Sequence, residues 1–325
     1  MIPFTAFYCD DAQTSQWLDH ECLLALIRFG ERTPAATDPR VNRIALPELG
    51  GTATTEVWLG ARPVQTGIVD GVRYADGGEI LFLQLTMDEE APAALSPLTA
   101  TAYRRLFAAA RARDYRYFLR IWNYFPDINR EYDGLERYRA FCVGRHSAFL
   151  AELADLETRL PAASAVGARG PGLRLCALAG REAGIQIENP RQVSAFRYPR
   201  QYGPQSPSFS RAVLRSWGER DFQLYISGTA SVVGHASQHP EPMTQLDETL
   251  ANLEAVLDQA RQRARVPLEL ALLRVYSRLD LDPAPLRQRI ARTFGAHVPL
   301  LFLHADICRR ELLVEIEGLA VGAAL

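Results

Sequence analysis

The sequence contains no lysine: all 36 of its basic residues are arginine. That absence excludes Schiff-base catalysis, a phosphate-loop lysine and pyridoxal chemistry. A GC-rich genome alone would produce the same usage, but it leaves a chain rich in the residue that grips carboxylates with two parallel hydrogen bonds. Cysteine is scarce and scattered, at Cys9, Cys22, Cys142, Cys176 and Cys308, with no C-x-x-C pair. An odd, irregular set reads as reduced thiols in a cytoplasmic protein rather than a disulfide framework. Apolar runs fall far short of the ~20 residues a bilayer span requires. The first ten residues carry no basic residue ahead of an apolar stretch, so no leader and no membrane partner are expected. A net charge of −2 offers no basic excess for a nucleic-acid groove.

Cofactor signatures are missing as well. No G-x-G-x-x-G follows a strand, and no G-x-S-x-G stands out. His235 and His239 have the spacing of a helical metal pair but lie in a Gly/Ser/Pro stretch without a third ligand. Neither a metal nor an organic cofactor is expected.

What is present is an ordinary globular mixture, 48% hydrophobic and 23% charged over 325 residues. That length suggests about two domains. The segment 160–172, rich in Ala, Gly and Pro and without period, is the expected boundary between an N-terminal domain at 1–160 and a C-terminal one at 173–325. Before it, strands are predicted at 55–59, 67–74, 79–86 and 117–124, with helices at 98–112 and 137–153. After it, strands are predicted at 173–178, 184–188, 194–198 and 222–228, then at 268–276, 300–307 and 312–319. Helices are predicted there at 245–263 and 285–294. Leu246, Leu250, Leu253 and Leu257 share one helical face, and Thr244 with Asp247 reads as a capping box at that helix's start. Residues 117–141 and 272–294 repeat the same strand–turn–helix order. The fold class is α+β, a mixed α/β arrangement of two related halves.

Leu224-Tyr-Ile-Ser-Gly-Thr229, Leu250-Ala-Asn-Leu253, Leu273-Arg-Val-Tyr276 and Val314-Glu-Ile-Glu-Gly318 follow one another over about a hundred residues. Their order and spacing resemble a module of the RidA (YjgF/UK114) family, whose fold is a mixed sheet backed by two helices, often in trimers. RidA enzymes carry a substrate-gripping Arg shortly after a Pro in the strand before the last. Here that stretch reads Pro299-Leu-Leu-Phe302, which speaks against imine deamination.

A second resemblance covers nearly the whole chain. It is carried by Asn123-Tyr-Phe-Pro-Asp-Ile-Asn129, Arg137-Tyr-Arg-Ala-Phe-Cys-Val-Gly-Arg145, Pro190-Arg-Gln-Val-Ser-Ala-Phe-Arg-Tyr-Pro-Arg200, Ser206-Pro-Ser-Phe-Ser-Arg211, Ile226-Ser-Gly-Thr-Ala-Ser231 and Cys308-Arg-Arg-Glu-Leu-Leu-Val-Glu-Ile-Glu317. These segments resemble the chorismatases, enzymes that remove pyruvate from chorismate on a RidA-like scaffold. The resemblance implies a small-molecule substrate, chorismate, and 3-hydroxybenzoate plus pyruvate as products, with 4-hydroxybenzoate as a possible second product. Monomer and homotrimer both stay open. The rivals are a RidA-type imine deaminase and a non-catalytic binder of aromatic or keto acids.

Chorismate is a dianion, so its site needs two Arg clamps and one proton donor. Arg197, Arg200 and Arg211 lie with Tyr198 and Tyr202 in a proline-rich segment, an unusual mixture for a solvated loop. Arg stacked on Tyr to pin that loop would give the same pattern. Arg145 ends its motif after the apolar Phe141 and Val143, where a solvent-facing charge beside an aromatic cluster would read the same. In the last strand, Glu315 and Glu317 share one face, which is costly unless they are paired or used. Close together and buried, one would have a raised pKa, suited to a general acid; alternatively both pair with Arg on neighbouring strands. The resemblance assigns protonation of the enolpyruvyl group to Glu315 and leaves Glu317 as support. A lone Cys is most often a small buried hydrophobe, but the resemblance makes Cys308 a marker of the hydroxybenzoate-forming members. Gly228, Thr229 and Ala230 are the expected pocket-lining positions that leave room for the ring.

Overall fold

The computed structural model describes residues 1–30, 36–51, 53–219 and 221–322. Two large mixed sheets and one small sheet organise the described residues. The first large sheet is built from Gln65–Val69, Val72–Asp76, Ile80–Met87, Tyr117–Phe125, Ala162–Gly167 and Leu173–Gly180. The second is built from Ile185–Ile187, Ala212–Ser216, Phe222–Ala230, Glu269–Ser277, Leu300–His304 and Val314–Gly322. Numbered along the chain within each set, both sheets have the spatial order 1-2-3-6-4-5. In both, strands 4 and 5 run parallel. A helix follows strand 3 in each half, Leu95–Arg111 and Pro242–Ala264, and another follows strand 4, Arg137–Glu152 and Ala284–Phe294. The two halves are therefore one topology used twice. The small sheet, Phe4–Asp10, Leu23–Phe29, Val41–Ile44 and Thr54–Gly60, precedes them.

Periodicity explains the layering. Leu246, Leu250, Leu253 and Leu257 are all buried and pack on Leu224, Ile226, Val314 and Ile316 of the second sheet. Alternation then turns Glu315 and Glu317 to the opposite, helix-free face. The helix-free faces of both large sheets and the small sheet share another core, with Trp58, Phe82, Trp122, Tyr225, Tyr276 and Leu319. Glu315, Glu317, Arg120 and Arg274 are thus buried polar groups between the halves.

Several elements differ from the sequence reading. The stretch 67–74 is a hairpin, because Asp70 and Gly71 both adopt positive φ, 46° and 76°, as a two-residue hairpin turn requires. Residues 194–198 form a 3-10 turn, Ala195–Arg197, instead of a strand; Pro199 and a second turn, Arg200–Tyr202, follow at once. The long helix starts at Pro242 after Glu241, and Thr244 donates to the Glu241 carbonyl, so Thr244–Asp247 is not a capping box. Two corrections bear on the site. The stretch expected as an irregular boundary contains Ala162–Gly167, buried at every position, and Leu173–Gly180 closes the first sheet. Its small residues suit a strand squeezed between two sheets. The predicted strand 300–307 also breaks at Ala305: Leu300–His304 stays in the second sheet, whereas Asp306–Ile307 pairs with Val166 and Gly167 of the first. That crossing delivers Cys308 to the seam.

Candidate active site

Along the seam, Ala163 N–H donates to Ser227 Oγ at 2.9 Å, and Gly228 N–H donates to Ser164 Oγ at 2.9 Å. Phe222–Ala230 slips register against Val314–Gly322 between Ile226 and Thr229, then resumes with Ala230 opposite Glu315. The slip and the missing side chain at Gly228 make space for one carboxyl. A Cβ at Gly228 would sit 2.2 Å from Glu315 Oε1.

The two glutamates of the last strand have opposite fates. Glu317, 2% exposed, accepts from Arg120 at 2.5 Å, Arg274 at 3.0 Å, Trp122 Nε1 at 2.9 Å and Tyr276 Oη at 2.8 Å, and also from Ser164 Oγ. Burial opposes its ionisation, but Arg120, Arg274 and these hydrogen bonds outweigh burial and hold its pKa below the ordinary value. Arg274 is in turn held by both oxygens of Glu56, at 2.7 and 2.9 Å. Glu315, 4% exposed, has no such support, and its Oε1 has no hydrogen-bond partner. Burial first, and then the charge of Glu317, push its pKa up to about 8. Two carboxyls two residues apart are thereby split into an anion and an acid that holds its proton at neutral pH.

A cavity of about 540 Å³ opens on Glu315. Its wall includes Tyr198, Tyr202, Arg211, Gly228, Ala230 and Cys308, all expected from the sequence. A recess of about 30 Å³ adjoins it, lined by Arg145, Ser164, Phe209 and Cys308, again with Glu315. Arg145 is 1% exposed and comes from the helix Arg137–Glu152. It lies over the Phe141 ring at 4.8 Å and its Nε has no partner. Arg211, 6% exposed, donates from Nη2 to Tyr198 Oη at 2.7 Å and to the Val193 carbonyl at 3.0 Å. Among the described residues, neither guanidinium has a carboxylate within 4.0 Å. Buried charges normally find a counter-ion in the protein; these two face a cavity instead.

Cys308 is a neutral thiol here. Burial and then the neighbouring Glu315 push its pKa up to about 12. Three candidate residues stand elsewhere. Arg200 is exposed and outside the cavity wall, because the 3-10 turn that carries it points outward. Thr229 is buried on the far side of its strand, where its hydroxyl donates to the Ser227 carbonyl. Arg197 is exposed and paired with Glu157.

Other wall residues were not singled out from the sequence. Arg309 lies 4.1 Å over the Tyr202 ring and 5.2 Å over Tyr198, and is fixed by donation to the His235 carbonyl at 2.9 Å. Tyr138 and Phe209 also face the cavity. All three sit inside the chorismatase-like segments, alongside the candidate residues Cys308, Arg145 and Arg211. Ser164 carries no sequence signal, because the Ala, Gly and Pro content around it has the composition of an irregular stretch. His235 contacts the Tyr202 hydroxyl at 3.1 Å and His239 faces Glu248, so both histidines have structural partners.

Comparison with known proteins decides the family. The chain is 36% identical over 279 residues to a 3-hydroxybenzoate synthase of Streptomyces hygroscopicus, covering 82% of this chain and 81% of that protein. The chain belongs to the chorismatase family. A second relative, a chorismatase of the same organism, is 37% identical over 276 residues, covering 82% of this chain and 79% of its own. A family model, "Chorismatase FkbO/Hyg5-like, N-terminal", matches residues 56–179. The crystal structure of a chorismatase at 1.08 Å resolution superposes with a TM-score of 0.86 at 31% identity, covering 99% of this chain and 98% of that one. The seam cavity therefore belongs to a chorismatase-family enzyme with a conserved overall course of the chain.

Proposed function

We propose that this chorismatase-family enzyme converts chorismate to 3-hydroxybenzoate and pyruvate, with 4-hydroxybenzoate as a second product. One observation carries the reading: a neutral carboxyl, Glu315, shares its cavity with two buried guanidiniums, Arg145 and Arg211, that lack protein counter-ions. Chorismate brings two carboxylates and an enol ether that must be protonated on carbon. Arg145 and Arg211 each take one carboxylate, and Arg309, stacked on Tyr202, adds positive potential at the mouth.

Glu315 gives its proton to the enol-ether methylene, and the positive charge that develops sits beside the carboxylate left behind. By family resemblance, the neighbouring ring hydroxyl then attacks the ring carbon bearing the ether. The carbon–oxygen bond breaks toward the ether oxygen, which departs as the ketone of pyruvate. The hydroxyl proton returns to Glu315, restoring the acid. The arene oxide opens and shifts one proton from ring carbon to oxygen, so no atom is gained or lost. Cys308, as a neutral thiol against the ring, excludes water and steers this last step.

Purified protein incubated with chorismate tests the proposal. Pyruvate release, read by coupled lactate dehydrogenase, and chromatography of hydroxybenzoates are the expected positive results. Saturable chorismate binding without pyruvate would make the protein a binder. Ammonia release from 2-aminoacrylate would make it an imine deaminase.

A further inference from the structure

A second cavity, of about 230 Å³, lies away from the seam where the edge of the small sheet crosses the first large sheet. Strand register fixes what faces it. Arg73 stands directly opposite Gln84, and Arg174 directly opposite Thr86, on the two flanks of Ile80–Met87. Gln84 and Thr86 are two residues apart, so all four side chains share one face of the sheet. Arg43, from Val41–Ile44, also lines the cavity, and the Gln84 amide anchors this edge by donating to the carbonyls of Pro39 and Val41 at 2.6 and 3.2 Å.

Three guanidiniums thus converge on one cavity, and the Asp38 carboxylate acts on Arg73 only through space. Among the described residues none of the three has a carboxylate within 4.0 Å, and the nearby Asp38 is engaged by Arg40 at 2.8 Å. Arg73 and Arg174 each spend one N–H on a backbone carbonyl, of Ala36 and Arg43 respectively. The Arg43 side chain has no protein partner among the described residues, and its Nε is buried and unsatisfied. Burial, and the charge of Arg73, work against the charge on Arg174, although Cys176 and Tyr124 offset part of this. Like charges gathered around one partly buried cavity repel one another, and a buried N–H without an acceptor adds to that cost. Both are relieved by an anion in the cavity.

We propose that Arg43, Arg73 and Arg174 form a second anion site, separate from the seam cavity, that takes a small multiply charged oxyanion of the phosphate class. Size selects the class: the cavity is smaller than the roughly 300–1,000 Å³ of sites for drug-sized ligands. Planar guanidiniums favour the same choice, since they present paired donors to tetrahedral oxyanions. The Thr86 hydroxyl supplies a further neutral donor.

Calorimetric titration of the full chain with inorganic pyrophosphate, and separately with phosphate, against chloride of matched ionic strength, tests this. Saturable binding is expected for at least pyrophosphate. Arg43→Gln and Arg174→Gln should each weaken it at least ~10-fold, as expected for losing a charge-assisted hydrogen bond, while Arg211→Gln in the seam leaves it intact. Melting curves of the Arg43 and Arg174 variants, both changed at partly exposed positions, check that each is folded. The proposal is overturned if neither anion binds beyond the chloride control, or if the binding survives Arg43→Gln and disappears with Arg211→Gln.

Discussion

Glu315→Gln should make this enzyme more stable and nearly inactive. Glutamine keeps the shape of the neutral acid in the niche left by Gly228, and it cannot ionise. In wild type, burial and Glu317 raise the pKa of Glu315 from 4.5 to about 8. Between those values the folded state binds more protons than the unfolded state. Stability therefore falls as pH rises through that window and levels off above about 8. Each unit is worth about 1.36 kcal/mol. At pH 7 the unfolded carboxyl gains about 3 kcal/mol from ionisation that the folded one forgoes, and above pH 8 the figure approaches about 5 kcal/mol. The variant escapes this loss, so its melting temperature should exceed that of wild type at pH 7, more so at pH 8.5, and match it near pH 4. Pyruvate release should fall at least ~10²-fold, the lower end for removing a general acid. Wild-type kcat/KM should in turn decline above about pH 8 as the acid is lost. Calorimetric melting across pH and a coupled pyruvate assay read the two effects. Equal melting temperatures from pH 5 to 8 would refute the raised pKa, and near-wild-type turnover would refute the role as acid.

Arg145→Lys and Arg211→Lys should each lower kcat/KM for chorismate at least ~10-fold, because an ammonium cannot reproduce a planar two-point clamp; unchanged kinetics in both would place the carboxylate clamps elsewhere. Gly228→Ala puts a methyl group 2.2 Å from Glu315 Oε1, so the carboxyl must leave its niche. Turnover should collapse while circular dichroism keeps the wild-type spectrum, and normal activity would contradict the geometry. Cys308→Ala should leave pyruvate release measurable while the hydroxybenzoate share falls and a non-aromatic dihydroxy acid rises. With a thiol pKa of about 12, that product ratio in wild type should not vary between pH 6 and 8. An unchanged ratio in the variant would make Cys308 a packing residue.

Much of this was legible locally. Alternation in the last strand put Glu315 and Glu317 on one face, and the spacing of Leu246, Leu250, Leu253 and Leu257 put the long helix on the other side of the same sheet. Motif residues such as Arg211, Tyr198 and Cys308 line the cavity. What local pattern cannot report is which distant groups a side chain meets. Two glutamates on the same face of one strand became an anion and an acid because Arg120, from the other half, and Arg274 hydrogen-bond Glu317 and not Glu315. Ala162–Gly167 is composed like a loop, and becomes a strand because only small side chains fit between two sheets. Arg200 and Arg211 share one sequence environment, yet a single 3-10 turn leaves one in solvent and the strand entry buries the other. Hydrophobic period is set along the chain, and it determined the layers. Desolvation and ion pairing are set across the seam between halves, and there the tertiary structure alone decided the chemistry.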